Sequence, residues 1–178
     1  MTSAYEAARA RRSLSKVTDA APSHDQLVTL VGAAGRVADH SSLAPWRLIE
    51  LRGHDRDRLG RAIHKAEGKK GASTKPQRAP LLIAVVASYR KSKVPKWEQE
   101  SVASGVAHTL SLLLDEAGWG VFWRTGEYTR AKAVAKAHGL KKDEELLGWL
   151  YVGGKPARSR PTRIKTIDAT RHLSAMPR

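Results

Sequence analysis

The chain has 178 residues, 41% of them hydrophobic, which is enough for one sizeable core and short for two, so a single domain over 1–178 is expected. It has no cysteine, which removes disulfides, thiolate chemistry and Cys-ligated zinc or iron–sulfur sites. Its formal charge of +15 admits a polyanion or a phosphate-bearing ligand, while the lack of any apolar run near the roughly 20 residues of a membrane span, and of an apolar centre in MTSAYEAARARRS, predicts a cytoplasmic protein without a membrane partner.

In chain order, Ser3 to Ala10 reads as a short helix with Arg11, Arg12 and Ser13 directly behind it. Ser23 is a good N-cap for a helix from His24 to about Val37, with Leu27, Leu30, Val31 and Ala34 on one face. A polar cluster from Ala38 to Ser42 ends it, closed by Pro45. Trp46 to Arg52 alternates like a strand with one wetter face, and Asp55 to Lys65 is helical. Residues 68–76 form a basic, glycine-containing loop expected to be mobile. Leu81 to Ala87 is a continuous apolar run behind Pro80, the pattern of a strand buried on both faces.

The stretch Trp97 to Gly126 is the centre of the pattern. Val102, Val106, Leu110, Leu113 and Leu114 line one face of a long helix that Gly118 stops, and a short buried strand follows, ending in Trp123-Arg124-Thr125-Gly126. Ser101, Ala103, Ser104, Gly105, Ala107 and Ser111 make the other faces small. Either a second copy of the chain covers them, or the helix is a plain core helix of a monomer. Thr129 to His138 reads as a helix and Leu146 to Val152 as another buried strand. From Lys155 the composition turns to Pro, Arg, Lys and Thr, a basic extension (155–178) expected to wrap over its own body or a partner's. The element order predicts an α+β protein, a three-layer α/β/α sandwich around a mixed sheet.

The charge is unevenly spread. Residues 41–96 carry 14 Lys and Arg against 4 acids, and the extension 7 against 1, whereas Trp97 to Gly126 carries 1 against 4. A solvated basic surface, a polyanion site and a phosphate site all fit this pattern. The spacings of a P-loop, a dinucleotide-binding glycine turn, a zinc-binding H-E-x-x-H helix and a G-x-S-x-G nucleophile elbow are absent, and the seven histidines are scattered. Binding chemistry is left in place of a side-chain nucleophile.

Four pieces in register then resemble one family. They are Arg11-Arg12-Ser13, the helix end Arg36-Val37-Ala38-Asp39-His40 with Ala44-Pro45-Trp46 behind it, the run Lys93 to Glu100, and Ala117 to Gly126. From about residue 5 to 154 the chain is similar to the flavin-dependent nitroreductases, in their short, minimal branch. The resemblance implies an FMN-binding homodimer with its sites at the subunit interface, passing two electrons from NADH or NADPH through the flavin to a small-molecule acceptor such as a nitroaromatic or quinone.

It also implies residue roles. Arg11, Arg12 and Ser13 match the motif that takes the flavin phosphate and ribityl oxygens, for which arginine forks and a hydroxyl are suited. Arg36 and His40 match positions that reach the flavin of the other subunit. Trp123, Arg124 and Thr125 match the segment beside the isoalloxazine ring. Two positions depart from the family: Ala44 stands in place of a Gln, and Ser15 in place of a Lys near flavin N1, with Lys16 as candidate substitute. Two other readings stay open, a flavin-holding protein with little turnover and a basic nucleic-acid-binding protein. Against the second, no aromatic residue but Tyr89 lies among the basic runs.

Overall fold

The computed structural model describes residues 3–157 and 167–176. Its first two helices begin with capping boxes, in which a serine hydroxyl accepts from the third helical N–H while that residue's side chain accepts from the serine N–H. Ser3 and Glu6 start α1 (Ala4–Ala10), and Ser23 and Gln26 start α2 (His24–Ala34). α2 stops three residues short of the expected end, with Gly35 as its C-cap, where the Trp46 ring lies 2.9 Å from the place a Cβ would stand. There follow β1 (Trp46–Leu51), α3 (His54–Ala66), β2 (Leu81–Ser88), α4 (Lys96–Glu116), β3 (Trp119–Arg124), α5 (Lys132–Ala137) and β4 (Glu144–Gly154). The expected helix from Thr129 is split by Ala131, which is extended, into a 3-10 turn over Glu127–Arg130 and the shorter α5.

The strands form one sheet in the order β1-β2-β4-β3, and every neighbouring pair is antiparallel. The three-layer α+β architecture therefore stands, but the sheet among the described residues is antiparallel and not mixed. The reason is that burial on both faces reports cover and not strand direction. All eight residues of β2 are buried. Leu81, Ile83 and Val85 pack with Leu27 of α2 and Val106, Leu110 and Leu114 of α4. Leu82, Ala84 and Val86 point the other way, to Leu59 and Ile63 of α3 and Val134 of α5.

On α4 the predicted face is buried at Val102, Val106, Leu110 and Leu114, and so are Ala103, Ala107 and Ser111. Ser101 and His108 are exposed, and Ser104 and Gly105 half-buried, so one side of this central helix is left uncovered within the chain. Gly118, at φ +89°, ends it as the glycine position suggested.

The loop expected to be mobile is packed against α3. Lys69 N–H donates to the His64 carbonyl at 2.8 Å, Ser73 N–H to that of Gly60 at 2.9 Å, and Ser73 and Pro76 are buried. Of the basic extension, residues 158–166 lie outside the described residues, and every residue from 167 to 176 is exposed. Among the described residues no helix is long and apolar enough to cross a membrane.

One end of the sheet is closed by an ion pair. The Glu144 carboxylate, 1% exposed, accepts from Arg47 Nε at 2.6 Å and Nη2 at 2.7 Å, and also from Lys141 N–H and the Ser88 hydroxyl. The Arg47 fork is the main cause that holds the Glu144 carboxyl down at about 2. A carboxyl lowered in the folded state stabilises it above the unfolded pKa, and that contribution is lost as the pH falls through the folded value. Glu144→Ala is expected to cost about 2–3 kcal/mol at pH 7 by urea denaturation, and the gap from wild type to shrink to less than half at pH 3.

Candidate functional site

Along β3 the side chains alternate, Val121 and Trp123 toward the α2/α4 layer and Phe122 toward the α3/α5 layer. The strand's end therefore offers a tryptophan and an arginine to opposite layers. Trp123 meets His108 of α4 edge-on, 4.9 Å between ring centroids. The Arg124 guanidinium lies 4.2 Å from the Phe122 ring centroid and 5.3 Å from that of Tyr151. Gly126, at φ +131°, then turns the chain, and Thr129 caps the turn by donating to the Gly126 carbonyl at 2.7 Å.

A bulge in β4 makes this arrangement possible. Val85 pairs with Gly148 and Val86 with Leu146, leaving Leu147 as the extra residue. Gly148 takes φ +145°, and a Cβ there would stand 2.5 Å from the Arg124 carbonyl oxygen and 2.7 Å from Trp123 Nε1. The end of β3 thus lies directly over a glycine that nothing larger can replace.

Trp123, Arg124 and Thr125 line a cleft of about 400 Å³. Its far wall is built from Lys75 and Arg78, on the 3-10 turn before β2, and from Tyr128. Lys75 Nζ donates to Glu67 at 2.9 Å and to the Tyr128 hydroxyl at 2.7 Å, the Tyr128 hydroxyl donates in turn to Glu67, and Lys69 donates to Glu67 at 2.7 Å. With Lys69, Tyr128 and Lys75 as donors, the Glu67 carboxyl is held down at about 2. The Tyr128 and Glu67 contacts likewise raise Lys75, so both members are charged throughout the neutral range. That wall is complete, whereas Trp123 Nε1 and Arg124 Nε are buried without any partner. Trp123 Nε1 lies on the α2/α4 side over Gly148, whereas Arg124 Nε lies with the cleft, and a buried donor without an acceptor in an aromatic cleft suits a planar ligand that carries one.

The N-terminal motif comes beside the same strand. Leu14 N–H donates to the Val121 carbonyl at 2.8 Å and Thr18 N–H to that of Gly154 at 2.9 Å. Val17 sits on Gly120 and Gly153, at both of which a Cβ would collide with it. Arg11, Arg12 and Ser13 therefore precede a segment docked along β3, with Arg12 half-buried and Arg11, Ser13 and Lys16 exposed. None of the three lines the cleft.

Arg36 and His40 stand elsewhere. Arg36 is exposed just past α2, next to Val37, which packs on Gly105 of α4. His40 Nδ1 is 2.7 Å from Glu98 at the start of α4. Ten residues, about 15 Å of helix, separate Glu98 from the His108 that touches Trp123. Between His40 and Pro45, Ser41, Ser42 and Ala44 all take positive φ, a costly conformation outside glycine that here is held by Asp39 Oδ2 accepting from Ala44 N–H at 2.7 Å.

Sequence reasoning missed Lys75, Arg78, Tyr128 and Tyr151. The basic loop was visible, but its link to Tyr128 spans 61 residues between Glu67 and Tyr128, which no local pattern records. Gly148→Ala is expected to destabilise the protein by about 2 kcal/mol in chemical denaturation and to shift the tryptophan emission as Trp123 is displaced. An unchanged denaturation midpoint and emission spectrum would refute the role given to the bulge.

The Nitroreductase family profile matches residues 8–154. YdjA of Escherichia coli (strain K12), which carries the name of an NAD(P)H nitroreductase, is 32% identical over 169 residues, covering 90% of this chain and 92% of YdjA. A Haemophilus influenzae protein with the same activity in its name is 29% identical, covering 92% and 95% of the two chains. Among solved structures, a nitroreductase-like family protein from Bacillus cereus superposes with a TM-score of 0.85 at 22% identity over 99% of this chain and 97% of that one. NfnB of Sphigopyxis sp. strain HMH, described as an FMN- and NADPH-dependent nitroreductase, does so at 0.76 and 16% identity over 99% and 100%. The chain belongs to the nitroreductase family of oxidoreductases, in its short, YdjA-like type.

Proposed function

We propose that this protein is an FMN-dependent NAD(P)H oxidoreductase that works as a homodimer and passes electrons in ping-pong order to a nitroaromatic, a quinone or a similar acceptor. The observation that carries this reading is the cation-bearing aromatic cleft at the end of β3, where Arg124 Nε is buried without a partner, beside the docked N-terminal segment. Bound there, FMN supplies the two-electron carrier between donor and acceptor. Arg11 and Arg12 take the phosphate through their forks, and the Ser13 hydroxyl reaches the ribityl chain. Trp123 flanks the ring system, and the backbone at Arg124 and Thr125 offers N–H groups to its polar edge. Lys75, fixed by Glu67 and Tyr128, supplies the cation that the Ser15 departure removes, a better-held candidate than the exposed Lys16.

A second copy completes the site with Arg36 and His40, since one chain keeps them away from the cleft. Large apolar side chains left exposed support such a copy: Tyr5 of α1, Val28 of α2, Trp97 of α4, and Leu173 and Met176 of the extension. α1 itself buries no residue within its own chain. The extension's described residues are then free to lie on the partner.

Anaerobic titration with NADPH tests the reading, because the bound yellow colour is expected to bleach and to return when a quinone is added. A yellow protein that keeps its colour supports the flavin-holding alternative, and salt-sensitive nucleic-acid affinity without any flavin supports the other. Arg12→Ala is expected to weaken FMN retention by about 1.5–3 kcal/mol, read by fluorescence titration. An unchanged FMN titration would remove Arg12 from the site.

A further inference from the structure

The outer face of the α3/α5 layer carries charge that the flavin reading does not use. Leu59 and Ile63 of α3 pack with Val134 of α5, so the two helices lie side by side. Between them runs a trough of about 340 Å³, floored by Ala62, Ala133 and Ala137 and walled by Arg58, Arg61 and Lys65 of α3 and Lys136 of α5. Lys132, one turn before Lys136, continues the α5 row, and every one of these cations is exposed. Among the described residues Arg58 alone meets a carboxylate, that of Asp55 at 3.5 Å, and Arg61, Lys65, Lys132 and Lys136 meet none. Helix electrostatics account for Lys65 and Lys136, which sit in last turns where the dipole favours a cation. They do not account for Arg61 in the middle of α3 or for Lys132, which opens α5. Like charges four residues apart repel along each helix, Arg61 against Lys65 and Lys132 against Lys136. An anion laid along the trough relieves that repulsion.

What the trough lacks decides its occupant. Its lining holds no aromatic side chain and no apolar one larger than alanine, so it offers a protein partner nothing to bury as an anchor. Nor does it offer bases a ring to stack on, which is how single strands are held. Rows of cations remain, Arg61 and Lys65 about 6 Å apart along the helix axis, and such rows suit a chain of phosphates. We propose that the α3/α5 face binds the phosphate backbone of a nucleic-acid duplex without reading its sequence. This face is separate from the cleft at the end of β3, and the proposal does not depend on the reductase reading. α2 and α4, which present Val28 and Trp97 to a second copy, form the opposite layer, so a dimer made there leaves the trough to solvent.

The test is the fluorescence anisotropy of a short labelled DNA duplex titrated with the full chain across a salt series. The wild-type protein is expected to bind at low salt, equally to two unrelated sequences and more weakly to the single strand. Log affinity is expected to fall against log salt with a slope of about −3 to −4, as for three to four phosphates met. Arg61→Gln combined with Lys136→Gln is expected to weaken binding at least about tenfold at low salt and to flatten the slope by about 2. Lys91→Gln combined with Lys93→Gln removes the same charge from the exposed basic loop before α4, and is expected to leave the affinity within about threefold. All four positions are exposed, and thermal melting is expected to show the Arg61 and Lys136 pair no less stable than wild type, since it relieves like-charge repulsion.

No duplex binding at low salt would overturn the proposal. So would an equal loss of affinity in the two pairs of substitutions, since net charge and not this face would then be responsible. Polyglutamate that displaces the duplex at matched charge, and whose own binding is lost with Arg61→Gln and Lys136→Gln, would give the face to an acidic protein and overturn it as well. Duplex binding that depends on Arg61 and Lys136 in a chain that NADPH never bleaches upholds the proposal and removes the reductase reading, so the two fail separately.

Discussion

The site depends on one close approach, the carbonyl of Arg124 and the indole of Trp123 lying over the α-carbon of Gly148. A central strand of an antiparallel sheet would normally carry a side chain there and hold its neighbour at the usual strand spacing. The extra residue Leu147 shifts the register of β4, and glycine at φ +145° lets β3 close on it. The end of β3 is thereby fixed by backbone geometry before any ligand arrives. Trp123 and Arg124 leave that fixed point toward opposite layers, so a single turn serves both the central helix and the loop before β2.

The two sides of the cleft differ in how completely their polar groups are satisfied. Around Glu67, three donors converge on one carboxylate, and Lys75 and Tyr128 also bond to each other. At the β3 side, Arg124 Nε is buried with nothing to accept it, which in a finished interior costs roughly 1–3 kcal/mol. Arg56 Nε and Asp39 Oδ1 are likewise buried without a partner away from the cleft, so the setting of Arg124 among rings and cations, and not the missing partner alone, marks this wall. The same reasoning separates this cleft from the wide groove between α2 and β1, which is lined mostly by Leu27, Val28, Val31, Leu48 and Ile49. That groove asks for apolar cover and offers little to orient a small ligand.

Much of this was legible in residue order, and the exceptions share a cause. Helical spacing located α4 and its buried face, and Gly118 marked its end, because both signals are local. The apolar run of β2 correctly announced two covered faces. It was silent on strand direction, which depends on where the connecting chain returns. Gly35, just past the end of α2, is glycine where Trp46, beyond the helix, takes the space of a side chain. The loop 68–76 looked free because its composition is polar, yet Glu67 and Gly60 hold it through contacts made only once α3 has formed. Trp123, Arg124 and Thr125 were found through family resemblance. Gly148, which positions them, carries no motif, since a glycine within an apolar strand reads as a weak point until the backbone opposite it is known.

The charge of +15 takes a different meaning once its partners are placed. Arg47, Arg52, Arg58, Lys69 and Lys75, all from the strongly basic middle of the chain, face carboxylates of Glu144, Glu50, Asp55 and Glu67. These pairs tie strand ends and the loop to the body, and they leave nine of the segment's fourteen Lys and Arg without a carboxylate among the described residues. What persists at the cleft is a local excess, Arg78 and Arg124, set among rings in a space that fits a small planar molecule. A polyanion is recognised by charges repeated along a surface, whereas two guanidinium groups at one mouth select a single charged end. At the cleft it is therefore the arrangement of the positive charge, more than its amount, that sets it apart from the basic surface around it.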